Sequence, residues 1–476
     1  MKNVCLNFIA VFFAAFLFTA CKSNLDFLEQ DEGQEIEIPA NMDDVTFVSL
    51  QQATEVAKAF FGRQTTLKST DAQKRIVSTE TIKDKENSSM YVMNYADGGW
   101  VIVGSTRNYY PILAYSDENS FELTEDMGPV TVWLEETKEA IRTSDALPDS
   151  VKFSMQAGWN NFEADGFQML ETSKLKVSDP ALDAYIARMN QICQIYPSQG
   201  YNIFPPLSGA ASYIGSNYNY LLQKAISCGA NPNYSIVVVK KERQSTQVGP
   251  LLATQWHQNK PYNELCGSDD CPAGCVTIAI AQIMRFHEYP APPFFNWGNI
   301  PLTGTPTYDT KFLISTIGNR MGLNYNPSNC DTGATPTQAR NTFWWYGYNA
   351  TLKNHNETDV INEIATNKRP VYMRGMTNQI LGIPCGDGHA WVCDGTENYQ
   401  YVTKYFIELQ IGYSYVTYNW CGTVSNPLFN VTQTGTNMHM NWGWQYTAPG
   451  WYISNNYANT PNGNFQYGRE NIYVHP

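Results

Sequence analysis

The sequence predicts an α+β protein with two folded parts, a small unit near the N-terminus and a larger one filling the second half. Three observations predict it. In "VSLQQATEVAKAFF" the residues Ala53, Val56, Ala57 and Phe60 fall at helical spacing, and two strand-like runs follow around Asp97-Gly98-Gly99. Residues 275–288 hold no Gly or Pro and are largely apolar, which predicts one strong helix. From there to the end, short aromatic runs alternate with Gly and Asn turns, a pattern of antiparallel strands.

The chain has 476 residues, enough for two domains or a domain with a large accessory segment. With 43% hydrophobic and 16% charged residues, 30 Tyr and 12 Trp, it reads as folded and rich in aromatic β-structure. Its net charge of −13, from 31 basic and 44 acidic residues, argues against a nucleic-acid partner, which would need basic patches to displace phosphate counterions.

In chain order, residues 1–21 read as a targeting signal. Lys2 precedes an apolar run from Val4 to Leu17 that is short for a spanning helix and leads into "LFTAC". A small residue followed by Cys at this place resembles a lipobox. The resemblance implies cleavage before Cys21, acylation of its thiol, and a lipoprotein beyond the inner membrane, at the outer membrane or cell surface. Residues 22–44, with the acidic run Asp26 to Glu37, read as a solvated tether.

Residues 45–145 form the small α+β unit. "MYVMNYADGGWVIVG" is strand, turn and strand, because Gly supplies the backbone angles a tight hairpin needs, and an amphipathic helix follows near Val130 to Ile141 with Trp133 and Leu134 on one side. Residues 146–245 are turn-rich and weakly periodic. They read as a connecting segment, exposed at its end, where Lys240-Lys241-Glu242-Arg243 offers an activation site. Residues 246–476 form the larger unit.

The chain has eleven Cys. Once Cys5 leaves with the signal and Cys21 takes lipid, an odd number remains in an oxidising compartment, so one thiol has reason to stay free. Cys275 stands at the start of the strong helix, after Pro272 and Gly274. A helix N-terminus favours an anion and lowers a cysteine pKa, which makes a thiolate nucleophile one reading. A packed core thiol and a metal site with Cys266 and Cys271 are others. The metal reading lacks a second tight pair at ribbon or finger spacing, and a Cys266–Cys271 disulfide would leave Cys275 free.

A nucleophilic thiol needs a base. His287 lies twelve residues along the same helix, about 18 Å away at 1.5 Å per residue, too far to reach. His389, in "CGDGHAWVCDG", sits at the mouth of a buried strand just after Gly386 and Gly388, which let the backbone come close, and His439 alternates with Asn441 on a later strand. Position favours His389; a core histidine satisfied by backbone is the bland reading of either.

The blocks "QWHQNKPYN", "AGCVTIAIAQIMRFHEYP", "GHAWVCDG" and "NWGW", in this order, resemble those of the streptopain-like cysteine peptidases, a branch of the papain-like clan. "MYVMNYADGGWVIVGSTRNYYPILAYSDENSF" is similar to that family's inhibitory propeptide. The resemblance implies a papain-like catalytic domain, in which a helix bearing the Cys packs on an antiparallel sheet bearing the His, preceded by a small α+β prodomain. It implies Cys275 as nucleophile, His389 as base, Gln258 as oxyanion donor, and Asn441 and Trp442 as residues that orient or shield the imidazole. It implies no metal or other cofactor, protein or peptide substrates, and the prodomain as an intramolecular inhibitor.

The chain departs from the family pattern by about thirty extra residues, Tyr399 to Thr432, by the missing second glycine pair after "NWGW", and by Asp387 where the family has Gly. A carboxylate at Asp387 would raise the imidazolium pKa. The competing functions are a surface binding protein whose site has decayed and a Cys–His hydrolase of cell-wall peptides.

Overall fold

The computed structural model describes residues 46–64, 75–124, 127–162, 188, 201–206, 218–229, 235–267, 270–380, 383–411, 417–422, 427–444, 449–454 and 468–476. The signal, Cys21 and the acidic tether lie outside the described residues. Among those described, no helix is long and apolar enough to cross a membrane.

The architecture is mixed helix and antiparallel sheet. Helix α1 (Leu50–Gln64) buries Ala53, Val56, Ala57 and Phe60, the stripe its spacing predicts. Strands β1 (Ile76–Asp84), β2 (Asn87–Tyr95), β3 (Trp100–Gly104) and β4 (Ile112–Ser116) form an antiparallel meander beneath it. Helix α2 (Val130–Thr143) buries Val130, Val132, Trp133 and Leu134. Helix α3 (Asp149–Asn160) continues the same unit past residue 145, since Trp159 and Phe162 join its core.

The connecting segment is exposed at its end and just beyond, at Gln244, Ser245, Thr246 and Gln247, but it is built into the fold rather than running free. Strand β5 (Tyr201–Pro206), helix α4 (Tyr218–Ser227) and strand β6 (Ile236–Val248) all belong to it. β6 holds Lys240 to Arg243 inside the main sheet, with β5 on one edge and a later strand on the other. The short apolar run "SIVVV" reads as a strand, but nothing in it shows how far the strand extends or where its partner lies.

The second half opens with helix α5 (Cys275–His287), which ends as Glu288 adopts a left-handed conformation two residues before Pro290. Three helices then stand where the sequence pattern predicts strands: α6 (Tyr308–Met321), α7 (Pro336–Trp345) and α8 (Glu357–Ala365). Each begins at a side-chain cap, Thr307, Thr335 and Asn356, and Thr335 completes a capping box with Gln338. The strands are β7 (Asn349–Asn354), β8 (Val371–Ile380), β9 (Ile383–Ile411), β10 (Thr417–Cys421), β11 (Phe429–Asn441), β12 (Gly450–Ile453) and β13 (Glu470–His475).

One sheet runs through both halves in the order β1-β2-β3-β4-β12-β11-β9-β8-β13-β7. The join is β4 against β12, with Tyr115 opposite Trp451 and Ala114 opposite Tyr452. One core therefore mixes Trp100, Trp133 and Tyr115 of the N-terminal unit with Trp391, Trp442 and Tyr452. A second core packs α5 on the other face through Ile278, Ile283, Ala390 and Val392. The inserted residues 399–432 extend β9 and β11 into an arm and add β10.

Candidate active site

Cys275 is the first residue of α5, and Gly274 before it has φ 92°, a region open to Gly and strained for other residues. A Cβ on Gly274 would lie 2.5 Å from the Thr332 carbonyl, so the turn into the helix is pressed against a neighbouring loop. The Cys271–Cys330 disulfide pins that loop. This corrects the Cys266–Cys271 pairing, and it removes Cys271 from any ligand set with Cys266 and Cys275. Among the described residues Cys266, Cys275 and Cys393 are free thiols, and of these Cys275 alone is not fully buried.

The sulfur of Cys275 faces the backbone N–H of Ala390 on β9. His389 is the next residue back, so the fold brings helix start and strand mouth together. The Gln258 loop joins them: its carbonyl accepts the Ala273 N–H at 2.8 Å, and Gln258 is buried. Burial pushes the Cys275 thiol up from its ordinary value, against backbone N–H groups and the Arg374 charge, which act the other way. In the uncleaved chain the thiolate that the helix start predicts is thus opposed by desolvation.

His389 pairs across the sheet with Gly375. Alternation along β9 sends Ala390 and Val392 into the α5 core and Trp391 and Cys393 into the other core, so His389 leaves the sheet on the Trp391 face. Its ring meets Trp444, centroids 6.5 Å apart and nearly perpendicular. The N-terminal unit covers this face. A Cβ on Gly375 would lie 2.7 Å from Val132 of α2, and one on Gly128 would collide with the Trp444 ring.

The ring beside His389 is therefore Trp444, whereas Trp442 is 1% exposed and packs between Trp391 and Tyr452. Asn441 spends its amide on the Thr254 carbonyl at 2.7 Å, and its Oδ1 accepts the Gly443 N–H. It ties β11 to the strand of chain leading to Gln258. Sequence reasoning missed Trp444, although it stands in the quoted "NWGW". It also missed Asp394, which binds His439 Nδ1 at 2.6 Å and accepts the Leu252 N–H at 2.9 Å. His439 is thereby held in a buried structural pair rather than at the strand mouth. The side chain of Asp387 lies outside those described.

Two family models match the chain. The Spi protease inhibitor model matches residues 45–141, and the Peptidase C10 family model matches residues 256–311 and 293–452. Streptopain of Streptococcus pyogenes is 24% identical over 374 residues, 67% of this chain and 73% of the relative, and the serotype M1 sequence gives the same figures. A solved fragment of Prevotella intermedia prointerpain A is similar at TM-score 0.40 and 14% identity, over 83% of this chain and 98% of that one. The inhibitor match falls on the unit that covers the His389 face, and the peptidase match spans Gln258, Cys275 and His389. With the peptidase match on residues 256–452 and the inhibitor match on residues 45–141, the chain is a streptopain-like cysteine peptidase that carries an inhibitor-type propeptide ahead of the catalytic domain.

Proposed function

We propose that the chain is the latent precursor of a secreted, lipid-anchored cysteine endopeptidase in which Cys275 is the nucleophile and His389 the acid–base. The observation that carries the reading is the Cys275 sulfur against the Ala390 N–H, one residue from His389, beside the buried Gln258 loop. In the processed enzyme His389 turns to the sulfur and takes its proton, since pairing with an imidazolium is what overcomes the desolvation that keeps the thiol neutral. The thiolate attacks the peptide carbonyl. Gln258 and the Cys275 N–H receive the oxyanion, His389 protonates the leaving amine, and water resolves the acyl-enzyme.

Latency follows from the propeptide, the intramolecular inhibitor. Val132 and Gly128 press on the strand and on the Trp444 ring beside His389. The face of β9 that carries the imidazole is thereby covered. Cys21 would carry the lipid, with the acidic run as spacer between membrane and enzyme.

Casein and peptidoglycan, each incubated with the uncleaved chain, the processed chain and processed Cys275→Ala, test the reading. Casein cleavage by the processed parent alone is the expected result. Peptidoglycan cleavage without casein cleavage would favour the cell-wall hydrolase, and inertness of every form the decayed binding protein.

A further inference from the structure

The stretch between propeptide and peptidase is built into the peptidase. Strand β6 pairs with β9 from Ile236 opposite Glu408 to Val248 opposite Thr396, and β5 takes its other edge. Most of the receiving strand lies in the arm made by the inserted residues. Leu221, Ala225, Val237 and Val239 of the stretch share a separate core with Tyr405, Ile407, Cys421 and Val431 of the arm. A disulfide then joins Cys228, just past α4, to Cys421 on β10, 193 residues onward.

The basic residues of β6 are engaged as well. Arg243 is ion-paired with Glu397, which is 1% exposed, and its guanidinium lies over Tyr399 and Tyr401 at 5.4 and 5.9 Å. Glu397 also accepts from Tyr115 of the propeptide and from Asn437, each at 2.8 Å. Glu242 bridges Lys240 at 3.0 Å and Lys404 at 2.7 Å. A protease must draw several residues, extended, into its own cleft, and here that requires breaking two ladders and these ion pairs.

We infer that the inserted arm is a clamp, and that the Cys228–Cys421 disulfide keeps the propeptide covalently attached after any cut on the C-terminal side of Cys228. The inference rests on the zymogen reading above. Release of the propeptide then requires a cut on the N-terminal side of Cys228, or reduction. In reduction by a dithiol, one reductant sulfur attacks the disulfide and expels one cysteine thiolate. The second reductant sulfur displaces the other cysteine from the mixed disulfide. Cys228 and Cys421 finish as two thiols, and the reductant finishes as a disulfide.

The test uses the full chain with Cys275→Ala, which prevents self-processing, and with a site-specific protease sequence replacing residues 230–234. After cutting and denaturation in urea, the non-reducing gel should show one species of full-chain mass, and dithiothreitol should resolve it into two. The same cut in a chain that also carries Cys228→Ser and Cys421→Ser should give two species without reductant. Two species from the parent without reductant would overturn the inference. Failure of the zymogen reading is seen separately: with Cys275 intact, the uncut chain would hydrolyse casein as fast as processed enzyme, whatever the gel shows.

Discussion

Glu136→Gln should unlock the propeptide without touching the catalytic residues. Glu136 on α2 pairs with Arg469, just before β13, through Arg469 Nε to Oε1 at 3.1 Å and a second contact between Nη2 and Oε2. Their side chains are 0% and 1% exposed. Arg469 also lies over Trp391 at 5.6 Å, two residues from His389 along β9. Removing one partner of a buried pair leaves an uncompensated charge and costs about 3–5 kcal/mol. Undocking lets water reach Arg469, so the cost falls on the docked state. At about 1.4 kcal/mol per tenfold, the docked population loses roughly two to three and a half orders of magnitude in its equilibrium. The assay is the rate at which an irreversible thiol-peptidase inhibitor labels Cys275 in uncleaved chain, with circular dichroism to check the fold. Labelling should accelerate in Glu136→Gln. It should return toward the parent rate in Glu136→Met with Arg469→Met, because an apolar pair of similar volume replaces a buried ion pair at little cost. A folded Glu136→Gln chain that labels at the parent rate would refute the reasoning, and so would a double variant as reactive as the single one.

The two strand histidines should separate by assay. His389→Ala should lower turnover of the processed enzyme by about 10² or more. His439→Ala should leave turnover nearly intact but lower the urea midpoint, since it strips Asp394 of a buried partner at a cost of about 1–3 kcal/mol; the reverse ranking counts against the assignment. His355 supplies a pH dependence: burial, then the Arg469 charge, lowers its pKa from 6.5 to about 3, so the folded chain holds it neutral. As pH falls from about 6.5 toward about 3 the unfolded chain gains a proton that the folded chain refuses, and stability drops by up to about 1.4 kcal/mol per pH unit, with no contribution above that window. Urea titrations near pH 7 and near pH 5 should show a smaller drop for His355→Asn than for the parent, and equal drops would contradict this.

What the sequence revealed was mostly local. α5 is legible because thirteen residues pass without a breaker and a proline follows, and the propeptide hairpin because Asp97-Gly98-Gly99 interrupts two strand runs. α6, α7 and α8 were hidden because their caps, Thr307, Thr335 and Asn356, stand in Gly-, Pro- and Asn-rich text that also reads as turns. Long-range pairing was hidden for a different reason. Nothing near Lys240 records that its ladder partner is Lys404, and nothing near Cys228 records Cys421. The chemistry-bearing blocks around Cys275 and His389 were legible as motifs. The division of labour among Asn441, Trp442 and Trp444 depends on which face of β9 each meets, and that is set by tertiary packing.

Mass mapping of a covalent thiol-peptidase inhibitor, applied to uncleaved and to processed chain at mildly acidic pH, tests the central claim most directly. A single modified residue, Cys275, labelled slowly in the uncleaved chain and rapidly after the propeptide is released, is the predicted result. Equal labelling of Cys266, Cys275 and Cys393, or equal rates before and after release, would contradict it.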